Sequence, residues 1–344
     1  KNLKSEQHSL IKYRKKYRLM KKILITGGAG YLGSTLSRKL LDKGYEVDVF
    51  DALWYGKEPI KDCLENKKFR LINEDIRNLI PTVKALKNVD AVIHLASVVG
   101  MPASSIEPKT SVEVNYLATK NIAELCELHG IETYIFASTC SVYGSQGNNL
   151  ITEKSKVNPL DYYAESKWLS ERSIQYLHHA PTILRFGTLF GTSPRLRFDL
   201  VVNLFIIQSI FEGEITVDGG EQYRPFLHVN DAADSLIFAL EKNLTGTYNV
   251  VSENKTIMQV AELVSELSGC KIKISHENPD KRNYRVSADK IKNSGFNPTH
   301  RLEDSFYEFE KMVKSGEIKD YKKAIFNNYK QLFESDEARK KAFI

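Results

Sequence analysis

Tyr163 and Lys167 stand four residues apart in Tyr163-Ala164-Glu165-Ser166-Lys167. Trp168, Leu169, Glu171 and Ile174 continue the stretch with helical spacing, so the phenol and the ammonium share one face. A free phenol ionises near ~10. To serve as a base near neutrality, its anion needs roughly 3 pKa units of help, about 4 kcal/mol, from neighbouring positive charge. A lysine one turn away contributes part of that. Tyr162 cannot take the role, because its i+4 neighbour is Ser166. Upstream, Phe136-Ala137-Ser138-Thr139-Cys140-Ser141-Val142-Tyr143-Gly144 ends an apolar run in hydroxyls. Thr139 is suited to hydrogen-bond a substrate hydroxyl, or the carbonyl it becomes, and to share a proton relay with Tyr163.

Turning an alcohol into a carbonyl needs a hydride acceptor, and the start of the chain offers a place for one. Ile23-Leu24-Ile25 is a short apolar run, followed by Thr26-Gly27-Gly28-Ala29-Gly30-Tyr31-Leu32-Gly33. After it Leu36, Leu40 and Leu41 recur at helical period until Gly44. Strand, glycine turn and helix in that order suit a dinucleotide. Gly27 takes the tight turn, Gly30 admits a pyrophosphate close to the backbone, and Gly33 lets the helix pack on the sheet. The amides near Tyr31 and Leu32 then face the phosphates. Asp51 lies 21 positions after Gly30 at the end of the next apolar run. A carboxylate there accepts from both adenine-ribose hydroxyls and repels a 2′-phosphate, favouring NAD over NADP. Asp75 and Ile76 are placed to bracket the adenine, and an oxidised nicotinamide would add positive charge beside Tyr163. Each feature has an ordinary counterpart: a ligand-free glycine turn, a solvated Asp, a surface Tyr-x-x-x-Lys, hydroxyls that merely end a strand.

These residues need a frame. From 21 to about 180 apolar strands alternate with amphipathic helices: 45–50, 69–72, 91–96 and 134–137 read as strands, 112–128 as a helix stopped by Gly130. Such alternation predicts an α/β fold, a doubly wound parallel sheet covered on both faces. From about 181 the rhythm loosens into a smaller α/β domain. Strands are expected at 183–186 and 215–217, and helices at 200–211, 228–240, 257–267 and 302–313. We expect a cofactor domain over 20–180 with a return segment at about 225–250, and a substrate domain over the rest of 181–313. A charged tail, 314–344, is expected to be helical or loosely attached and to carry no chemistry.

Bulk properties narrow the partners. Of 49 basic and 43 acidic residues, seven basic and one acidic fall within 1–19, leaving the remainder balanced, 42 against 42. The net charge of +6 therefore belongs to a leading extension, expected to be disordered. The neutral body argues against a nucleic-acid face. No segment approaches the ~20 apolar residues of a membrane span. Cys63, Cys126, Cys140 and Cys270 are scattered with no C-x-x-C pair, so neither disulfides nor a metal site is expected, and a cytoplasmic setting fits.

Taken together, Thr-Gly-x-x-Gly-x-x-Gly, the hydroxyl residue and Tyr-x-x-x-Lys resemble the extended short-chain dehydrogenase/reductases, in particular the nucleotide-sugar epimerase/dehydratase group. The resemblance runs from about Lys21 to about Glu310. It takes in His94-Leu95-Ala96, Val114-Asn115, Leu184-Arg185-Phe186, the run 224–232 and the run 278–285. It implies a Rossmann fold, NAD as cofactor, a nucleotide-diphosphate sugar as substrate and a homodimer through the helices near 112–128 and 161–178. It also implies Thr139, Tyr163 and Lys167 as the catalytic set. Leu95, Ala96, Ser97, Asn115, Ser138 and Phe186 would line the cofactor. Val99, Thr188 and Arg224, with Arg282 or Arg285, would meet the substrate, the arginines on its diphosphate. Two departures narrow the reaction. Dehydratases of the group place Asp-Glu directly after the Thr, where this chain has Cys140 and Ser141; the Cys of its 3,5-epimerase/reductases aligns with Ser141. Thr188 stands where members often carry a phosphate-contacting Asn, for which Asn203 is a substitute. The expectation is a 4-epimerase acting through a transient 4-keto sugar, with a 4-dehydrogenase or 4-ketoreductase as alternatives. A non-catalytic NAD-sensing or RNA-associated protein using residues 1–19 is the alternative of another class.

Overall fold

Seven short strands with apolar residues facing both ways make one parallel sheet: β1 (Lys22–Thr26), β2 (Glu46–Asp51), β3 (Phe69–Asn73), β4 (Ala91–His94), β5 (Thr133–Thr139), β6 (Thr182–Phe186) and β7 (Gly246–Val250). Their order is β7-β6-β5-β4-β1-β2-β3, every pair parallel. In this computed structural model the described residues are 22–334, apart from 101, 102, 105, 106, 148, 276, 278, 279 and 281. The basic stretch 1–19 lies outside them.

Burial on both faces explains the continuous apolar runs. In β1, Ile23 and Ile25 enter one core layer and Leu24 the other, all at most 1% exposed. The strand order reverses between β1 and β4, and the crevice beyond the strands' carboxyl ends at such a point is where ligands bind in these sheets. The helix Tyr31–Asp42 packs beside Val229–Glu241, with Lys39 paired to Asp234 at 2.8 Å. The chain therefore returns to the first domain at Val229. The preceding strand, Tyr223–His228, belongs to the smaller domain. It pairs with Glu253–Thr256 and Thr188–Phe190 in a three-stranded sheet. A separate core around Phe190, Phe205, Phe226, Val260 and Phe309 holds that domain together.

The expected helix 112–128 is broken in two. Val112–Leu117 is wound as a π-helix before Ala118–Leu128 continues as α-helix. The wider winding accompanies an unusual use of Asn115, which is fully buried. Its side chain accepts from Val98 N–H (2.7 Å) and donates to Val98 O (3.1 Å) and Ser166 Oγ (3.0 Å). One amide thus ties the loop after β4 to the helix Tyr162–Ile174.

The described part of the C-terminal tail, expected to be helical or loosely attached, ends in the helix Asn328–Glu334 and is docked on the body. Phe198 N–H donates to Phe326 O at 2.8 Å, and Leu332 of the helix Asn328–Glu334 is 1% exposed in the same core layer as Phe50 and Ile76. An apolar side chain every few residues is enough to dock this charged segment across both domains.

Candidate active site

One cleft of ≈ 850 Å³ opens beyond the carboxyl ends of β1, β4 and β5, between the two domains. All of the residues expected at the site line it except Asn115, Asn203 and Arg285. At its inner end, Gly27 has φ +74°. A Cβ there would sit 2.7 Å from Ala96 N, and one on Gly33 would sit 2.2 Å from Gly27 O. Only hydrogen fits at either place, because both obstacles are backbone. The helix then begins at Tyr31 with no side chain capping it and no acid in its first turn, which leaves its first amides available to an anion.

Asp51 closes this end. Its Oδ2 accepts from Ala29 N–H at 2.9 Å and Oδ1 from Leu53 N–H at 2.8 Å. Burial pushes its pKa up, opposed by those two hydrogen bonds and by Arg195 nearby. Beside it, Asp75 grips Arg77 through both oxygens (3.0 and 2.8 Å), so its carboxylate is already engaged, whereas Ile76 offers an apolar side chain to the cleft.

Residues 23–251 match the model of the NAD dependent epimerase/dehydratase family. The chain belongs to that family. It is 31% identical over 269 residues to an uncharacterized UDP-glucose epimerase, YtcB, of Bacillus subtilis, covering 73% of this chain and 83% of that protein. It is 30% identical over 302 residues to UDP-glucuronic acid decarboxylase 1 of Xenopus tropicalis, covering 83% and 70%. Among solved structures it superposes on the UDP-glucuronic acid 4-epimerase of Bacillus cereus, in complex with UDP-glucuronic acid and NAD. There the TM-score is 0.77 and the identity 27%, over 86% of this chain and 99% of that one. A UDP-N-acetylglucosamine 4-epimerase from Methanobrevibacter ruminantium gives a TM-score of 0.79 at 27% identity, over 86% and 99%. NAD is the cofactor of this family, and the glycine turn, the uncapped helix start and Asp51 fit it. Among the described residues no helix is long and apolar enough to cross a membrane.

In this NAD-dependent enzyme the helix Tyr162–Ile174 starts from Asp161, whose side chain caps Ala164 N–H at 2.8 Å. Its first turn therefore stands at the end of β5. The Thr139 hydroxyl stands close enough to act on the Tyr163 phenol, and Thr139 Oγ1 accepts from Ser141 N–H at 3.1 Å. Burial holds the phenol's pKa well above its ordinary value, with Asp161 adding to the rise; Arg197 and the Thr139 hydroxyl oppose it. Lys167 is 2% exposed; its Nζ donates to Ala137 O at 2.9 Å and lies 4.7 Å from the Phe136 ring centre. Burial lowers its pKa to about 7, with Glu171 pulling the other way. Behind β5, Ser138 Oγ donates to Glu171, which pairs with Arg185 at 2.5 Å; Arg185 in turn donates to Tyr143 Oη at 2.7 Å. That buried network fixes the strand end carrying Thr139.

At the outer end Arg224 and Arg282 meet, as expected from sequence, but over a carboxylate. Asp280 lies 2.6 Å from Arg224 Nη2 and 2.7 Å from Arg282 Nη2. The two guanidiniums hold its pKa well below the carboxylate range. Residues 278, 279 and 281 of the same run lie outside the described residues. Arg285 is turned away, with its guanidinium 5.3 Å from the Tyr223 ring centre. Asn203 does not reach the cleft either. It is fully buried, accepting from Gly191 N–H (2.9 Å) and donating to Arg197 O (2.8 Å), so it shapes the segment 191–197 instead of meeting a ligand.

That segment is what sequence reasoning missed. Arg195, Arg197 and Asp199 all line the cleft, as do Trp54, Tyr55 and, from the tail, Asn327, Asn328 and Tyr329. The alternation Arg195-Leu196-Arg197-Phe198-Asp199 was a legible signal: charged residues at every second position, with Leu196 and Phe198 between them in the smaller domain's core. Nothing in the tail's composition pointed to Asn328.

Proposed function

We propose that this protein is a nucleotide-diphosphate-sugar 4-epimerase working through a transient 4-keto sugar. The observation that carries the reading is the pair of residues after Thr139. Dehydration needs an acid and a base there. Cys140 is fully buried with Sγ donating to Arg185 O at 3.2 Å, its thiol pKa pushed up by burial. Ser141 Oγ lies 3.4 Å from Tyr284 Oη. Neither is an acid/base group, so the reacting side chains reduce to those needed for oxidation and reduction at one carbon.

NAD, when bound, accepts hydride from C4 and returns it. Tyr163 takes the proton of the sugar's 4-hydroxyl and gives one back after the 4-keto sugar has turned over. Thr139 holds the reacting oxygen and steadies the phenol. Because burial alone keeps Tyr163 protonated, its ionisation depends on cationic neighbours in the loaded site, of which Lys167 is one turn away. Arg224 and Arg282 take the diphosphate in place of Asp280. Val99, Thr188 and Ser141 line the same cleft. Val112, Leu117, Leu128, Tyr162, Leu169 and Tyr176 are exposed along the two helices expected to pair. They support a homodimer, and light scattering at micromolar concentration tests it.

The deciding assay incubates purified protein and NAD with UDP-, GDP-, dTDP- and CDP-sugars. An epimerase interconverts two sugars with no net NADH, and Tyr163→Phe abolishes this while NAD still binds. Accumulating NADH would make the protein a dehydrogenase. Release of carbon dioxide from a nucleotide-diphosphate uronic acid would make it a decarboxylase, the reading that the 30% identity to UDP-glucuronic acid decarboxylase 1 favours. Either result overturns the proposal.

A further inference from the structure

Four arginines line the cleft, and three of them are neutralised. Arg197 is bound bidentately by Asp199 (3.0 and 2.9 Å), and Arg224 and Arg282 share Asp280. Arg195 has no carboxylate partner among the described residues. It is only 4% exposed, and its Nε has no acceptor among the described residues. Among the described residues the one hydrogen-bond acceptor its guanidinium reaches is Asn328 Oδ1, 2.6 Å from Nη2. The Tyr55 ring, 3.8 Å away, holds the guanidinium plane. Burial lowers its pKa to about 10, so the charge persists at neutral pH. A buried cation with a free donor is unfavourable unless an anion completes it.

The chain's own geometry says where that anion belongs. Ser193 Oγ donates to Tyr31 O at 2.6 Å, and Tyr31 Oη donates to Gly191 O at 2.6 Å. These bonds fasten the segment leading to Arg195 onto the first turn of the uncapped helix. Asp51, the ribose-facing carboxylate, lies within electrostatic reach of the same guanidinium. Asn328 is itself anchored, its N–H donating to Asp199 Oδ2 at 3.2 Å. Trp54 Nε1, another buried donor without an acceptor, belongs to a residue of the same cleft.

We propose that Arg195, oriented by Asn328 from the C-terminal segment, is a cofactor-binding residue. It closes on the pyrophosphate of the dinucleotide from the side opposite the 27–33 turn. The amides of the helix start then meet one side of the pyrophosphate and a planar guanidinium the other, a geometry suited to bidentate capture of phosphate oxygens. The assignment is independent of which 4-keto chemistry the site performs.

Titration calorimetry on nucleotide-free protein tests it, with NAD, ADP-ribose, adenosine and NADP as probes. Arg195→Met is expected to weaken NAD and ADP-ribose by about 10- to 100-fold. Adenosine, which lacks phosphate, should bind as before, and the NAD-to-NADP preference should not move. Because the substitution removes an uncompensated buried charge, the nucleotide-free melting temperature should hold or rise. Asn328→Ala should lower ADP-ribose affinity in the same direction and by less. Wild-type NAD affinity in Arg195→Met overturns the proposal. So does a parallel loss of adenosine with a lower melting temperature or failure to fold, which would mark a structural role. A loss confined to NADP would assign the arginine to a 2′-phosphate instead.

Discussion

Replacing Lys167 with Met should stabilise the nucleotide-free protein while removing its activity. In the fold this amine ionises at about 7, against 10.5 for a free lysine, chiefly because it is buried. At 1.36 kcal/mol per pKa unit, keeping the charge inside costs about 5 kcal/mol, an upper bound. Methionine fills similar space without the charge. It forfeits the hydrogen bond to Ala137 O and the contact with the Phe136 ring, each worth about 1 kcal/mol. The net gain is about 3 kcal/mol, or a rise of about 6–12 °C in melting temperature. The sign with pH follows from the depressed pKa. Below pH 7 both folded and unfolded chains carry the proton and the penalty is full. Between about 7 and 10.5 the unfolded chain binds more protons than the native one, so wild-type stability from this group rises with pH. The gap between variant and wild type should therefore be widest at pH 6 and nearly closed by pH 10, read by thermal unfolding in matched buffers. A variant that melts below wild type at pH 6, or a gap that does not change with pH, refutes the reasoning.

Gly33→Ala puts a Cβ 2.2 Å from Gly27 O and 2.6 Å from Gly28 Cα, backbone that cannot step aside. It should cost about 3 kcal/mol or more in urea unfolding and abolish NAD binding in calorimetry. Arg185→Met strands the Glu171 carboxylate in the interior and should cost about 3–5 kcal/mol; Arg185→Met with Glu171→Met should recover most of it. Cys140→Ala removes only a thiol packed against Arg185 O. It should lose about 1 kcal/mol of stability and leave turnover unchanged, whereas a fall in kcat would bring the thiol into the chemistry.

Local rules decided five strands of the sheet, because strands buried on both faces and helices buried on one leave opposite periodicities in the sequence. The same holds for the glycine turn and the helical face shared by Tyr163 and Lys167: both depend on residues a few positions apart. The strand at 183–186, read into the smaller domain, and Gly246–Val250, not read as a strand, join the same sheet through long-range pairing. What local rules could not decide is which long-range neighbour each polar group meets. Asn115 and Asn203, which the family resemblance implied as ligand contacts, satisfy buried backbone groups instead, and only the folded chain supplies those partners. Asp280 sits between the two arginines expected to hold a diphosphate, a triad joining residues 224 and 282 that no spacing rule reveals. Arg195 and Asn328 are 133 positions apart. They meet because Leu332 and Phe326 dock the tail across both domains, a consequence of three-dimensional packing that composition and periodicity do not carry.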